Sequence, residues 1–417
     1  MNVTNSSWIT HLRSGIWALR TRGDGAALAA AARGALHLQV RRGTTDEHLR
    51  AAMAWLCAAQ DAAGGRGVSA FYDLRSGDWG PPYPETTGYI IPTFLSYSRA
   101  THNEEYRHRA IRMADWLLEQ QLAQGAFPIG PLWPDWERSP LVFDTGQILQ
   151  GLVHIYQETN DSRYLAAADR AANWLVEVQD PDGAWRRFTS LGIEHTYNVR
   201  TAWAMLELAA VTKHAGHGQA AMRNLQWALS QQDSQAWFSG MGFRRDEHPL
   251  THTIAYTVEG VLEAGWLSRD EQLVSAARKA ADALAACQLR DGFLRGRYGA
   301  GWEAKTTWGC PTGTAQLSKV WFRLGMVTGE VRYLEAARAA NLRLMHQHIR
   351  DSRRSGVTGG LAGSDPIYQE YEPFRYLNWA AKFFADSLLL QADLERAHAE
   401  ASTPPPAAQA SETTPVV

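Results

Sequence analysis

The chain has 417 residues, of which 45% are hydrophobic and 20% are charged, a composition typical of a globular protein with a large core. Its formal net charge of -2 gives no electrostatic basis for binding nucleic acid or an anionic membrane. The three cysteines, Cys57, Cys287 and Cys310, are too few and too scattered for a disulfide framework.

The two ends of the chain differ from the rest in their patterns. Residues 1–44 are predicted to form a helical extension that caps the body. They lack the apolar segment and cleavage site of a signal peptide, and no run approaches the roughly 18 apolar residues of a membrane span, so the sequence predicts a cytoplasmic protein. Residues 399–417 are rich in Pro, Ala, Ser and Thr without periodicity, which predicts a disordered tail.

Six amphipathic helices recur from Thr45 onward. In the third of them, Tyr164, Leu165, Ala168 and Leu175 follow the 3.6-residue helical period, so one face is expected to be buried. Each segment ends near a glutamine and passes into a loop rich in glycine and aromatic residues. The six segments are TDEHLRAAMAWLCAAQ, NEEYRHRAIRMADWLLEQQ, DSRYLAAADRAANWLVEVQ, GHGQAAMRNLQWALSQQ, SRDEQLVSAARKAADALAACQ and GEVRYLEAARAANLRLMHQ.

Each loop leads into a second kind of helix, which is apolar on nearly every side and is therefore expected to be buried all round. These helices recur about every 50 to 65 residues, a period typical of repeat architectures. Six outer and six inner helices predict an all-α fold, an (α/α)6 barrel over residues 45–395. An open solenoid is the alternative, and closure is favoured because no polar capping repeat is evident. The inner segments begin at Pro84, Phe143, Tyr197, His252, Cys310 and Tyr376.

If the inner helices run parallel, their N-terminal ends and the preceding loops meet at one mouth of the barrel. Aromatic rings that stack on the C–H faces of sugars, beside charged groups that bond hydroxyls, predict a glycan cleft there. The alternative is that the tryptophans only fill the rim. The candidate substrate-binding residues are Tyr89, Trp133, Trp136, Glu194, Arg200, Trp302, Lys305, Trp308, Glu370, Tyr371, Glu372 and Arg375.

Two carboxylates occupy equivalent places at this mouth. Glu85 and Asp144 each stand at the start of an inner segment, in neighbouring repeats. A pair of carboxyl groups can hydrolyse a glycosidic bond, one as general acid and the other as base or nucleophile. The structural alternative is that both residues are helix N-caps, which their positions also fit.

A second chemistry centres on the segments EHTYNVR and THTIAY. His195, Tyr197, His252 and Tyr256 are candidate bases for removing the proton α to a uronate carboxylate. Such a reaction also needs a positive group to stabilise the enediolate, for which Arg200, Arg375 and Lys305 are candidates. This set of residues is typical of a polysaccharide lyase or a uronate C5-epimerase. The alternative is that each histidine is a hydrogen-bonded core residue.

Two stretches of the sequence resemble other toroid families in part. The stretch TTWGCPTGTAQLSKVWFRLG resembles lanthionine-synthetase cyclases, which bind zinc through a further Cys-His-Gly element; no cysteine follows Cys310, so no metal site is predicted. The Gln-plus-aromatic element, as in VEVQDPDGAW, resembles repeats of squalene-hopene cyclase and prenyltransferase toroids. The acidic motifs Asp-x-Asp-Asp and Asp-Asp-x-x-Asp of terpene cyclases are missing, which removes terpene chemistry from first place.

The wider resemblance, over about residues 45–392, is to the (α/α)6 carbohydrate-active superfamily of glycoside hydrolases, polysaccharide lyases and sugar epimerases. PETTGYIIPTFL and SDPIYQEYEPFRYLNWAAKFFADSLLL are similar to toroidal proteins encoded with bacterial exopolysaccharide assembly genes. The local motifs of unsaturated glucuronyl hydrolases and N-acyl-glucosamine epimerases are not found. The resemblance therefore implies a glycan context without assigning catalytic residues.

These observations predict an intracellular enzyme that cleaves a bacterial polysaccharide or oligosaccharide without a cofactor, with hydrolysis ahead of elimination. A non-catalytic glycan-binding component of a polysaccharide synthesis complex is the alternative of a different class. A catalyst is expected to have a carboxylate or histidine of strongly shifted pKa inside the cleft, whereas a pure binder is expected to have ordinary solvated charges.

Overall fold

A computed structural model describes residues 43–135, 137–352 and 354–402. Trp136, nearly all of the predicted N-terminal extension and most of the predicted tail lie outside these residues. The described chain forms twelve α-helices: α1 (Thr45–Ala62), α2 (Pro84–Thr101), α3 (Glu104–Gln120), α4 (Val142–Thr159), α5 (Ser162–Glu177), α6 (Val199–Thr212), α7 (Ala215–Ser230), α8 (Thr251–Ser268), α9 (Glu271–Cys287), α10 (Pro311–Thr328), α11 (Val331–Gln347) and α12 (Asn378–Ser402). The last helix runs into the segment predicted as tail.

The even-numbered helices form a closed inner ring. Each packs against the next in order, and α12 packs against α2, which closes the ring. These helices are buried on most sides, whereas the odd-numbered helices bury one face and form the outer layer. The predicted (α/α)6 barrel is therefore confirmed, and the open solenoid is not what the chain forms.

Short turns join each inner helix to the outer helix that follows it. The residue that ends the inner helix adopts a left-handed conformation at His102, Asn160, Lys213, Arg269 and Gly329. Such a residue reverses the chain within one or two positions and satisfies a terminal carbonyl group. The sixth pair of inner and outer helices is not joined by such a turn, because it consists of the last inner helix, α12, packed against the first outer helix, α1. The two ends of the helical body thus hold each other in place.

Glutamines at the ends of the outer helices join neighbouring repeats. The Nε2 group of each donates to a backbone carbonyl of the next outer helix, at 2.8 to 3.1 Å. These partly buried amide contacts explain why a glutamine recurs in the sequence. The five pairs are Gln60 with Arg109, Gln121 with Ala167, Gln179 with Ala220, Gln232 with Ala276, and Gln288 with Ala336.

The sixth junction, between α11 and α1, contains histidines instead. His348 follows α11 at the place of the glutamines, and its Nδ1 lies 2.8 Å from Nδ1 of His48. Only one of two facing nitrogens can carry the hydrogen, so the contact cannot hold when both rings are protonated. Burial lowers the pKa of His48 to about 3 and that of His348 to about 4.

This junction is expected to make the fold sensitive to acid. A lowered histidine pKa gives stability that is present above the unfolded value of 6.5 and is lost as the pH falls through about 4. His348→Gln should reduce the loss of unfolding free energy between pH 7 and pH 4 by roughly 2 kcal/mol. Urea unfolding at both pH values tests this, with the exposed His108→Gln as control. An equal change of unfolding free energy with pH in His348→Gln and the wild type would contradict this prediction.

A small antiparallel sheet covers the N-terminal end of the inner ring. Its strands are β1 (Phe71–Asp73), β2 (Asp78–Trp79) and β3 (Arg375–Leu377), in the order β2-β1-β3. Phe71 pairs with Leu377, so the sheet ties the loop before α2 to the start of α12. None of the helices in the described part of the chain has the length and hydropathy needed to cross a membrane.

Candidate active site

A cavity of about 440 Å³ opens at the N-terminal end of the inner ring, and we call it the mouth cavity. First turns of α2, α4, α8 and α12 supply its floor, and the sheet and the interhelical loops supply its walls. The lining residues are Phe71, Tyr83, Glu85, Thr86, Tyr89, Ile129, Pro131, Trp133, Leu141, Phe143, Asp144, Ser190, Tyr197, Phe243, His252, Tyr256, Tyr371, Glu372, Arg375 and Trp379.

Glu85 lies in the first turn of α2 and is only 6% exposed. Burial raises the pKa of its carboxyl to about 7. Hydrogen bonds from Tyr83 and Tyr89 and the charge of Arg200 act in the opposite direction and offset part of this rise. Glu85 is therefore poised to gain or lose a proton near neutral pH.

Asp144 lies in the first turn of α4 and is 2% exposed. The backbone N–H of Gly130 donates to its Oδ2 atom at 2.8 Å. Burial, followed by the adjacent charge of Glu85, raises the pKa of Asp144 well above its usual range. Two carboxyl groups that share one buried cavity cannot easily ionise together, so the pair retains a proton at neutral pH.

The two carboxyl groups are not N-caps. The N-cap positions of α2 and α4 are Tyr83 and Leu141, and neither makes a side-chain capping bond. Glu85 and Asp144 instead sit inside the first turns with their side chains in the cavity. Their burial is thus not explained by helix capping.

Close packing of α2 against α4 brings together the first turns that carry the two carboxyl groups. A Cβ atom on Gly88 would lie 2.6 Å from Cα of Ile148, and one on Gly151 would lie 2.2 Å from the carbonyl oxygen of Gly88. Only glycine at these positions lets the two backbones approach so closely.

Gly88→Ala is expected to push α2 away from α4 and to lower the unfolding free energy by about 1–3 kcal/mol, because the overlap is with backbone atoms. Gly218→Ala is the matched control, since its Cβ would make an ordinary contact of 3.5 Å in outer helix α7. That control should stabilise the helix by up to about 1 kcal/mol. Chemical unfolding of both variants measures the difference, and a stable Gly88→Ala protein would refute the packing argument.

Aromatic rings form much of the cavity wall. Phe143 meets Tyr197 edge-on at 5.2 Å between ring centroids and Tyr256 at 5.0 Å. Tyr83 and Trp379 make a further edge contact at 6.2 Å. Rings held in contact with each other in this way present a rigid apolar surface next to the carboxyl pair.

Ten of the residues predicted from the sequence line this cavity together. His252 is one of them, and its Nδ1 lies 2.6 Å from Oε1 of Gln316. Burial lowers the pKa of His252 to about 4, so the ring is neutral at pH 7. The ten residues are Glu85, Tyr89, Trp133, Asp144, Tyr197, His252, Tyr256, Tyr371, Glu372 and Arg375.

His195 is placed behind the cavity wall. Its Nδ1 and Nε2 lie 2.9 and 2.8 Å from the carbonyl oxygens of Gly242 and Ser190, and its ring stacks on Tyr197 at 4.6 Å. Both ring nitrogens are thus occupied by backbone contacts. This geometry matches the alternative of a hydrogen-bonded core histidine that supports Tyr197.

Six further candidates are not among the residues that line the mouth cavity. Arg200 points into the interior of the ring and forms a buried ion pair with Glu259. The other five make local contacts. Three of them form ion pairs, which are Glu194 with Arg245, Lys305 with Glu303, and Glu370 with Arg297. Trp302 donates a hydrogen bond to the backbone carbonyl of Gln235, and Trp308 is buried beside Cys310.

Sequence reasoning missed several wall residues. Phe143 and Trp379 occupy the first turns of inner helices, so their places at the mouth follow from the same rule that located Glu85. Phe71 and Phe243 lie outside helices and carried no such signal. In the described residues, no group of three or more His, Cys, Asp and Glu side chains is arranged to hold a metal ion.

Comparison of sequences finds terpenoid enzymes. The squalene-hopene cyclase C-terminal domain family matches residues 81–263. An ent-copalyl diphosphate synthase from a Streptomyces species is 30% identical over 117 residues, which are 28% of this chain and 20% of that protein. This match spans about a fifth of the relative's length. The matched family range contains Gln121, Gln179 and Gln232, which join the repeats.

Comparison of structures finds sugar-processing enzymes. An unsaturated glucuronyl hydrolase specific for heparin has a TM-score of 0.65 at 13% identity, covering 85% of this chain and 99% of that one. The cellobiose 2-epimerase of Bacillus thermoamylovorans has a TM-score of 0.64 at 14% identity, covering 83% and 97%. A polysaccharide lyase has a TM-score of 0.57 at 13% identity, covering 85% and 99%. The chain is an (α/α)6 toroid.

This toroid carries hydrolysis, epimerisation and elimination in different proteins, so the fold alone does not select a reaction. The selection must come from the side chains of the mouth cavity. There the toroid places two buried carboxyl groups with raised pKa values, neutral His252 and three buried tyrosines.

Proposed function

We propose that this toroid is a glycoside hydrolase in which Asp144 is the general acid and Glu85 is the base or nucleophile. The observation that carries the proposal is a buried carboxyl pair with raised pKa values in an aromatic cavity. Two titratable groups whose environments separate their pKa values are suited to opposite roles. Asp144 lies beside the charge of Glu85 and is therefore suited to hold its proton. The Glu85 carboxylate is stabilised by Tyr83, Tyr89 and Arg200, so Glu85 gives its proton up more readily.

The reaction follows from these protonation states. Asp144 donates its proton to the oxygen of the glycosidic bond as the bond breaks. The Glu85 carboxylate either removes a proton from an attacking water or attacks the anomeric carbon itself. Tyr83 and Tyr89 hold the Glu85 carboxyl through their hydroxyl groups, which fixes its orientation for either step. Phe143 and Trp379 offer apolar faces to the sugar ring.

Charge in the cavity favours a neutral or amino sugar over a uronate. Arg375 is bound to Asp73 at 3.2 Å and to Glu372 at 2.7 Å. His252 is neutral at pH 7. Among the described residues that line the cavity, the cationic side chain is therefore already committed to carboxylates. A uronate carboxyl would add a negative charge beside Glu85 and Glu372 without a matching cation.

The same charges weigh against elimination and C5-epimerisation. Both reactions need a positive group near the carboxylate of the substrate to stabilise the enediolate. Arg200 and Lys305, the other predicted cations, lie outside the cavity lining. A non-catalytic glycan binder is disfavoured because burial of two unpaired carboxyl groups lowers stability and is typical of catalytic sites.

A second candidate function is proton-initiated cyclisation of an isoprenoid. Both sequence matches are to terpenoid enzymes, and a neutral acid among aromatic rings is suited to protonating an alkene and stabilising a cation. It ranks second because the acidic motifs of terpene cyclases are missing from the sequence.

A substrate panel separates these functions. Purified full-length protein is incubated with neutral, amino-sugar and uronate polysaccharides, and with squalene and geranylgeranyl diphosphate. Reducing ends from neutral or amino glycans, without absorbance of an unsaturated uronate, are expected. Reducing ends with that absorbance would mean elimination and would overturn the proposal. A cyclic hydrocarbon from squalene, or a cyclic diphosphate from geranylgeranyl diphosphate, would establish the second function. Binding of a glycan without release of any product would indicate a non-catalytic glycan-binding protein.

A further inference from the structure

A second cavity, of about 410 Å³, lies at the opposite end of the toroid from the mouth cavity. It is bounded by the middle and C-terminal parts of most inner helices and by Arg200, Trp203 and Lys382 from the N-terminal halves of α6 and α12. Its volume is in the range of small-molecule sites. Every inner helix contributes to its lining, through Pro92, Gln150, Trp203, Glu263, Lys319 and Lys382 among others. The proposed hydrolysis makes no use of it.

A cluster of buried charges forms the floor of the second cavity. Lys382 contacts Asp386 at 2.7 Å, and Lys319 contacts both Glu259 at 2.8 Å and Asp386 at 3.4 Å. Arg200 completes the cluster through its ion pair with Glu259. Three cations therefore face two carboxylates, and when all are ionised one positive charge is uncompensated.

The charged groups nearer the opening are paired with one another. Arg323 of α10 bonds Glu263 of α8 at 2.9 Å. His154 of α4 lies 3.4 Å from Glu207 of α6. From α2 the group that faces the cluster is the neutral hydroxyl of Thr93, which donates to Asp386 at 2.6 Å. Asp393 of α12 also lines the cavity and forms an ion pair with Arg396.

The two lysines of the floor have different surroundings. Lys319 lies between two carboxylates, whose charges outweigh its burial and raise its pKa. Lys382 has one carboxylate, and its Nζ lies 4.2 Å from the ring centroid of Phe383. Burial, together with the charges of Lys319 and Arg200, lowers the pKa of Lys382 to about 8 despite Asp386. An amine desolvated beside other cations is the setting in which lysine becomes nucleophilic.

The lysine content of the chain makes this placement notable. The whole sequence has five lysines, and arginine supplies the remaining cationic side chains. Arginine cannot lose its proton in a protein and is not a nucleophile, whereas the pKa of a buried lysine shifts readily. Two of the five lysines, Lys319 and Lys382, thus lie next to each other on the buried floor of the second cavity.

We infer that Lys382 captures a small uncharged aldehyde in the second cavity as an imine. Its neutral amine attacks the carbonyl carbon, both amine hydrogens leave with the carbonyl oxygen as water, and a C=N bond remains. No oxidant or reductant is consumed. The uncharged imine leaves Arg200 and Lys319 facing Glu259 and Asp386, so the floor becomes electrically balanced. Pro92, Trp203 and Leu389 provide the apolar surface for the aldehyde's chain.

Reductive trapping with pentanal tests the inference on the wild-type chain. Pentanal and sodium cyanoborohydride are added at pH 7.4, and adducts are located by peptide mass spectrometry. Lys382 is expected to be alkylated at least tenfold faster than the exposed Lys213 and Lys279, since its lowered pKa leaves part of its amine neutral at this pH and the second cavity holds the aldehyde beside it. The rate should rise with a midpoint near pH 8, and Lys319 should remain unmodified.

Two variants complete the test. Lys382→Arg should abolish the fast adduct, whereas Lys319→Arg should keep it, with folding of both checked by circular dichroism. If a variant fails to fold, the map of adducts on the wild type decides alone. Alkylation of Lys382 no faster than that of Lys213, or equal alkylation of Lys319, would overturn the inference. Neither result depends on the glycosidase activity proposed for the mouth cavity.

Discussion

Asp144→Asn and Glu85→Gln are each expected to reduce glycan cleavage by about 10³-fold or more. Asparagine at position 144 cannot donate the proton that the leaving oxygen requires. Glutamine at position 85 can neither activate water nor attack the anomeric carbon. Both replacements keep the shape of the side chain, so substrate affinity should change little. The rate is measured as reducing ends released from the glycan that the wild type cleaves.

The same two replacements are expected to stabilise the protein above pH 7. A carboxyl whose pKa is raised from 4.5 to about 7 gives stability that is complete below pH 4.5 and is lost as the pH rises through 7. For Glu85 this loss amounts to roughly 3 kcal/mol. Glu85→Gln removes the titration, so its unfolding free energy should exceed that of the wild type at pH 8 and differ little at pH 4.5.

Urea unfolding at both pH values provides the measurement, with Glu104→Gln in the exposed first turn of α3 as control. The control should leave activity and stability unchanged. Loss of activity together with a gain in stability is the expected signature of a residue kept for chemistry. Full activity in Asp144→Asn would disprove the hydrolytic mechanism, whatever the change in stability.

The barrel and the positions of Glu85 and Asp144 at its mouth could be predicted from the sequence, because both depend on where a residue stands within a helix. The apolar character of the inner segments predicts the ring, and the ring brings every inner N-terminus to one mouth. Glu85 and Asp144 stand in first turns, so their meeting follows from the repeat. Trp379 occupies the same kind of position and was missed because no charge or motif drew attention to it.

The remaining site residues depend on geometry that the repeat does not determine. Arg200 lies one position inside α6, and the direction of its side chain, towards Glu259 rather than the mouth, depends on the rotation of that helix. Trp302 belongs to a loop folded back on itself by the bridge between Tyr298 and Ala304. Strands of three residues, such as β1, have no usable periodicity, so the sheet that carries Phe71 could not be predicted.

The largest loss of stability is expected for Glu259→Gln, which is the same chemical change as Glu85→Gln with the opposite result. Burial acts to raise the pKa of Glu259, but the charges of Arg200, Lys319 and Lys382 together hold it below its usual value. Glu259 is therefore ionised in the fold, and its carboxylate compensates cations that have lost their contact with water. Replacing it leaves Arg200 buried without a carboxylate partner.

Removing one member of a buried ion pair typically costs about 3–5 kcal/mol. Glu259→Gln should therefore lower the unfolding free energy by this amount at pH 8, where Glu85→Gln raises it. Replacing Arg200 as well, in Arg200→Met/Glu259→Gln, should recover much of the loss, because the uncompensated charge disappears with its partner. If both single glutamine variants shifted stability in the same direction, burial alone rather than ion pairing would determine how these carboxyl groups affect stability. The distinction between the carboxyl groups of the mouth and the ion-paired Glu259 of the interior would then fail.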